Sequence, residues 1–313
     1  MALTQQQLDD FQRDGYLIVP DVFDAAQVGA ALAAMEQIFY GKSYVEYLSG
    51  YDENPAAVST GFCSDGVAGR AQFPCGPQAL DCMIEKDEYL DMCEQLLGTD
   101  QISYNNAHLF MRSGPTDTPR PGYHIDHDTN CLLPPAAETG FFDYLNSGVY
   151  LHDVEADGAP MLVIPGSHRL VAERLPQWIE EGKFTGHSEF PDIAAIEEFA
   201  VPLAMTATAG SAAFYSSYLV HAAVPFANKR KQRAFWTLSL ARADNQSWTK
   251  MANVWHPAER AHLNPFWTRT TPRVRTLFGW PPPGHDYYTP RTLELLPSWF
   301  PGMDLSDYQA ALA

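Results

Sequence analysis

Between residues 101 and 240 the chain is a succession of short apolar runs: "ISYNNAHLFM", "GVYLHDV", "PMLVIPG", "FAVPLAM", "SAAFYSSYLVHAAV" and "RAFWTLSLA". Each is of strand length, and most are separated by Gly, Pro, Asp or Asn, the residues that turn a chain. This pattern specifies a mainly β core, a β-sandwich or jelly roll. "SHRLVAERLPQWIEEGK" interrupts it with helical spacing and reads as a connection outside the sheets.

Helices flank that core. Thr4 with Gln7 and Asp24 with Gln27 have capping-box spacing, so the chain opens helix, strand ("YLIVP"), helix, the second helix stopping at Gly41. "KDEYLDMCEQLLG" predicts a further helix ended by Gly98. Residues 42–85 show no sustained period and read as irregular, a lid or a surface meander. The expected organisation of the 313 residues is one domain: a helical part over 1–100, the β core over about 101–241, and an extension rich in Pro and aromatics over about 242–313.

Charge excludes one class of partner. With 38 acidic against 20 basic side chains the net charge is −18, and the basic residues form no long run beyond "NKRKQR", so no footprint for nucleic acid exists. No apolar run is long enough to span a membrane, and the first residues lack signal-peptide character, so the expected location is cytoplasmic. The five cysteines, Cys63, Cys75, Cys82, Cys93 and Cys131, are odd in number and lack a CxxC pair, which points to reduced thiols. The oligomeric state leaves no mark in the sequence.

The chemistry concentrates in "GYHIDHD", residues 122–128. On an extended chain His124 and Asp126 point to one face and Ile125 to the other, which makes half of a metal site. His221 in "YLVHAAVPF", on a strand beginning after Gly210, is the leading third donor. Two imidazoles and a carboxylate on one side of an ion suit non-haem Fe(II), although zinc in a hydrolase would accept the same donors. Arg233, twelve residues beyond His221 on the next strand-like run, supplies the planar cation that a 2-oxoglutarate carboxylate requires.

With these residues in view, the chain resembles the phytanoyl-CoA dioxygenase family of Fe(II)- and 2-oxoglutarate-dependent oxygenases from about residue 4 to residue 241. The likeness rests on "LTQQQLDDFQRDGYLIVPDVF", "HID", "DGAPMLVIPGSHR" and "HAAVPFANKRKQR", in that order. It implies a double-stranded β-helix, a cupin-like jelly roll, with iron held by His124, Asp126 and His221 and 2-oxoglutarate clamped by Arg233. It further implies that decarboxylation of 2-oxoglutarate in the presence of O2 is coupled to oxidation of a substrate C–H bond. Related halogenases carry Gly or Ala in place of the carboxylate, so Asp126 favours hydroxylation. The chain departs from the family pattern at Ser211, which follows Gly210 where Asp is usual, and at Ala223, where a hydroxyl is common. Arg233 stands twelve residues after His221 instead of eleven, and Arg230 competes at nine.

Asn106, on the strand before the HxD segment, is where relatives place a polar side chain reaching 2-oxoglutarate, and His108 shares its face. His108, His127 and Asn130 are candidates for contact with substrate, expected to be a small organic metabolite or natural-product intermediate. The acidic balance gives no support to a polyanion such as a CoA ester. A metal-dependent hydrolase or isomerase on the same barrel, and a non-catalytic ligand-binding barrel, are the alternatives. Other conspicuous residues read as structural. Pro165 and Gly166 form a turn with Ser167 as a cap, His168 is not a metal ligand, and His152 is hydrogen-bonded. Trp255, Trp267, Trp280, Tyr287 and Tyr288 pack the tail onto the barrel.

Overall fold

The computed structural model describes residues 2–55, 70–117, 122–126, 143–184, 189–243, 266, 268–276 and 280–312. Helices α1 (Gln5–Asp14) and α2 (Ala25–Tyr40) open on the two complete capping boxes, Thr4 with Gln7 and Asp24 with Gln27. In each, side-chain oxygens satisfy N–H groups that a first helical turn leaves unpaired. β1 (Tyr16–Val19) lies between them.

The segment read as irregular is more ordered than its composition implies. A third capping box, Ser43 with Glu46, starts α3 (Tyr44–Glu53), and β2 (Arg70–Gln72) and α4 (Gln78–Asp81) follow. α3 buries only Tyr44 and Tyr47, so it needs no long apolar stripe. α5 (Asp87–Leu97) stops as expected at Gly98.

The remaining strands are β3 (Ile102–Ser113), β4 (Tyr123–His124), β5 (Tyr144–Tyr150), β6 (Met161–Val163), β7 (Glu189–Phe190), β8 (Leu203–Met205), β9 (Ala212–Ser216), β10 (His221–Ala223) and β11 (Gln232–Arg242). They form two sheets, β1-β9-β5-β11-β3-β2 and β7-β4-β10-β6-β8, with antiparallel pairing throughout. The mainly β jelly roll with flanking helices is the architecture the apolar runs called for. The run "SAAFYSSYLVHAAV" is two strands, however. β9 belongs to the larger sheet and β10 to the smaller, so His221 opens a strand of its own instead of ending the one that follows Gly210.

The larger sheet has two different faces because successive side chains alternate. Ala234, Trp236, Leu238 and Leu240 of β11 and Ala107, Leu109 and Met111 of β3 point toward α1, α2 and α5 and are buried with them in one apolar cluster. Burying each large member of such a cluster stabilises the fold by about 1.5–3 kcal/mol. Arg233, Phe235, Thr237 and Ser239 alternate with them on β11 and line a cavity on the opposite face, together with Asn106, His108 and Phe110 of β3. One extra residue in β3, beside the pairs Ser239–Asn106 and Leu240–Tyr104, shifts the register there as a bulge.

A second apolar cluster joins α6 (Ser167–Glu180) to the tail, which folds as α7 (Pro272–Thr276), α8 (Pro290–Trp299) and α9 (Ser306–Ala310). Trp280, Tyr287 and Tyr288 are buried in it, the packing role expected of them; Trp255 and Trp267 lie outside the described residues.

The "IPGSHR" stretch fastens α6 to α1. His168 Nε2–H donates to Gln12 O at 3.2 Å, Arg169 Nη2 to the same oxygen at 2.8 Å, and Gly166 N–H to Asp14 O at 2.9 Å. Carbonyls that the end of α1 leaves open are thereby paired. Ser167 is not the cap: Gly166, at φ 76°, takes that place without a side-chain bond, and the Ser167 hydroxyl accepts the Val220 N–H at 2.9 Å. Cys75, Cys82 and Cys93 are free thiols, Cys63 and Cys131 lie outside the described residues, and among the described residues no helix is long and apolar enough to cross a membrane.

Candidate metal centre and its pocket

β4 and β10 pair antiparallel with His124 directly opposite His221, which puts both imidazoles on one face with ring centroids 4.3 Å apart. Asp126 follows two residues after His124, its N–H held by Ser217 O at 3.0 Å, while Ile125 turns into the second apolar cluster. The Asp126 carboxylate lies 3.7 Å from His124 Nε2 and 3.6 Å from His221 Nε2, and one donor atom from each residue falls within 4.8 Å of the others. These separations exceed a hydrogen bond and suit ligands disposed around a single ion.

The tautomers fit that use. His124 Nδ1 lies 3.1 Å from Gly122 O and His221 Nδ1 lies 2.9 Å from Leu219 O. A carbonyl only accepts, so both Nδ1 atoms carry the hydrogen and both Nε2 lone pairs face Asp126. Burial, the largest influence on His221, pushes its pKa down to about 4, which leaves the ring neutral and able to ligate at pH 7. Two neutral imidazole nitrogens and one carboxylate are the donor set that non-haem Fe(II) accepts.

Three residues that the sequence did not single out support the carboxylate. Asn146 of β5 donates from Nδ2 to Asp126 Oδ2 at 3.0 Å and accepts from the Ser239 hydroxyl at 2.8 Å through its own Oδ1. The Tyr215 side chain lines the same cavity beside Asp126, and its ring stands edge-on to His221 at 5.3 Å. Burial and the neighbouring carboxylate hold the Tyr215 phenol well above its ordinary pKa, so it stays a donor. Every residue of β5 is buried, so alternation gives no cue to which of its side chains faces a site.

A cavity of about 300 Å3 opens from the triad, at the lower end of small-molecule sites. Arg233 lines it, buried, with Nη1 donating to Ala159 O at 2.8 Å. It does not reach the pocket from a strand beside His221, as the spacing suggested; it stands on the larger sheet and faces His221 of the smaller sheet across the cavity. Arg230 is exposed and paired with Asp52 at 2.5 Å, away from the lining. Asn106 lines the pocket and donates from Nδ2 to Tyr144 Oη at 3.3 Å, and His108 lines it with its ring against Phe110. His127, Asp128 and Asn130 lie outside the described residues. His152 is hydrogen-bonded as expected, its Nδ1 to Asp153 O and its Nε2 accepting the Ala234 N–H, both at 2.8 Å. A second guanidinium, Arg70, also lines the cavity.

The sequence matches the family described as phytanoyl-CoA dioxygenase (PhyH) over residues 11–234. Similar solved structures include EctD from S. alaskensis with 2-oxoglutarate and 5-hydroxyectoine, at 19% identity and a TM-score of 0.53 over 80% of each chain. They also include the non-heme alpha-ketoglutarate-dependent carbocyclase SnoK from nogalamycin biosynthesis, at 17% identity and a TM-score of 0.54 over 91% of this chain and 95% of that one. At such identities the likeness establishes a shared fold. No curated protein matches the sequence significantly.

Proposed function

This chain belongs to the phytanoyl-CoA dioxygenase family of Fe(II)- and 2-oxoglutarate-dependent oxygenases, and on that premise we propose that His124, Asp126 and His221 hold its iron and that Arg233 anchors 2-oxoglutarate. The reaction we assign is hydroxylation of an unactivated C–H bond in a small organic metabolite or natural-product intermediate. The observation that carries this reading is the convergence of two imidazole Nε2 atoms and one carboxylate in a cavity that Arg233 also lines.

Fe(II) with 2-oxoglutarate and O2 supplies the oxidising chemistry, and the protein supplies position, charge and dryness. Gly122 O and Leu219 O fix the two imidazoles as Nε2 donors. Asn146 holds Asp126 on one oxygen, which leaves the other directed at His124. The guanidinium of Arg233 matches the two oxygens of a carboxylate in a fork, and burial strengthens that pairing. Tyr150, Phe110 and Phe235 keep the cavity largely apolar, so water is excluded where the substrate rests. Asp126 fills the position that halogenases leave to chloride, which favours hydroxylation.

An anaerobic titration with Fe(II) and 2-oxoglutarate tests the assignment. The intact protein should develop a visible metal-to-ligand charge-transfer band, His124→Ala should lose it, and Arg233→Ala should require far more 2-oxoglutarate to reach it. No band in the intact protein overturns the reading.

A further inference from the structure

We propose that Arg70 forms a second anion subsite in this cavity and that the primary substrate is a carboxylic acid whose carboxylate it holds; the proposal rests on the oxygenase reading of the site. Arg70 belongs to β2, a three-residue edge strand paired with β3. Its register sets Ala71 opposite Leu109, and both enter the helix-side core, while Arg70 stands opposite Phe110 and faces the cavity. This cation is 4% exposed. Arg70 has protein neighbours of its own, and a guanidinium on a cavity wall can add an anionic ligand to them.

Arg70 ends a row of directly paired residues, Tyr150–Phe235–Phe110–Arg70, that crosses four strands. Three strand spacings put Arg70 about 14 Å from Tyr150 along that row. The two Phe residues stand between, and Arg233 sits two residues before Phe235 on the same face of β11. On that grid Arg233 and Arg70 lie two strand spacings apart and two residues out of line, about 12 Å between their backbones on one face of the sheet. With Arg233 engaged by the co-substrate, the Phe110 and Phe235 surface is left for the body of the substrate and Arg70 for its charged end.

Inside the cavity a ligand carboxylate meets little competition. Among the described lining residues Asp126 is the only carboxylate, and it belongs to the triad. A guanidinium carries five N–H donors, so Arg70 can retain its protein neighbours and still present a fork to two oxygens. One such fork beside aromatic rings suits a monoanionic carboxylate; a phosphate dianion would meet a single positive charge there. The net charge of −18 repels anions at long range, and a local buried cation is the device that overcomes this.

The test uses the anaerobic Fe(II)·2-oxoglutarate complex, titrated calorimetrically with 3-phenylpropanoate and hexanoate and with their primary amides. The intact protein should bind at least one acid tenfold or more tighter than its amide, the scale of a charge-assisted hydrogen-bond pair. Arg70→Gln should abolish that preference while keeping the charge-transfer band, and Arg70→Lys should retain part of it. Equal affinity for acid and amide in the intact protein, or no binding of either acid, overturns the proposal, as does an Arg70→Gln variant with undiminished preference. Should Arg70→Gln not fold, the acid-to-amide ratio in the intact protein and in Arg70→Lys decides the matter. Absence of the charge-transfer band in the intact protein would instead mark failure of the oxygenase reading.

Discussion

Asn146 donates to Asp126 and accepts from Ser239, and this short relay sets the orientation of the carboxylate we assign to the metal. Removing such a partner commonly costs ten- to a hundredfold in metal affinity. Asn146→Ala should therefore bind Fe(II) about tenfold or more weakly by equilibrium dialysis while its far-ultraviolet circular dichroism stays unchanged. Arg230→Ala, which loses only the exposed pair with Asp52, should leave 2-oxoglutarate affinity within experimental error. Arg233→Lys should weaken it markedly despite the retained charge, because an ammonium cannot reproduce the fork; spectroscopic titration separates the two. The sequence exposes the reactive residues unequally. "HID" carries its own geometry, since residues two apart share a face, whereas Asn146 and Tyr215 stand on the other sheet and meet Asp126 across the cavity, which no local pattern encodes.

The joint between α1 and α6 is where pH acts on stability. His168 is buried against Gln12 O, and burial pushes its pKa from 6.5 down to about 4. The unfolded chain binds this proton between pH 6.5 and 4 and the folded chain does not. Stability is complete above pH 6.5 and is lost as pH falls toward 4, by roughly 3 kcal/mol for this residue. His168→Gln should flatten the acid limb of a urea-unfolding profile over that range. Gly15, the left-handed end of α1 at φ 81°, lies against the same ring, and a Cβ there would fall 2.4 Å from His168 Nδ1. Gly15→Ala should lower stability by about 2 kcal/mol or more. Helices with strong end signals are legible in the chain itself: Thr4, Asp24 and Gly98 each mark a helix end. α3 is harder to read because Tyr44 and Tyr47 are its only buried residues, although Ser43 and Glu46 have the same capping spacing.

At the scale of the whole molecule, one sheet serves two purposes. Trp236 and Phe235 are neighbours in sequence, yet Trp236 is fully buried against the helices and Phe235 lines the cavity. Trp236→Ala should destabilise the fold by about 3–5 kcal/mol in denaturant unfolding. Phe235→Ala, which empties a core cluster as well as a cavity wall, should lower both stability and ligand affinity. The β class follows from short apolar runs and their punctuation, and the family from four motifs in order. Which run joins which sheet does not follow: residues 211–224 cross from the larger sheet to the smaller, and this crossing is what sets His221 opposite His124. The central claim is that three side chains so assembled hold one ion. Equilibrium dialysis of Fe(II) under anaerobic conditions tests it most directly: the account predicts one ion per chain in the intact protein and loss of tight binding in each of His124→Ala, Asp126→Ala and His221→Ala. Undiminished stoichiometric binding in the His221→Ala variant would contradict it.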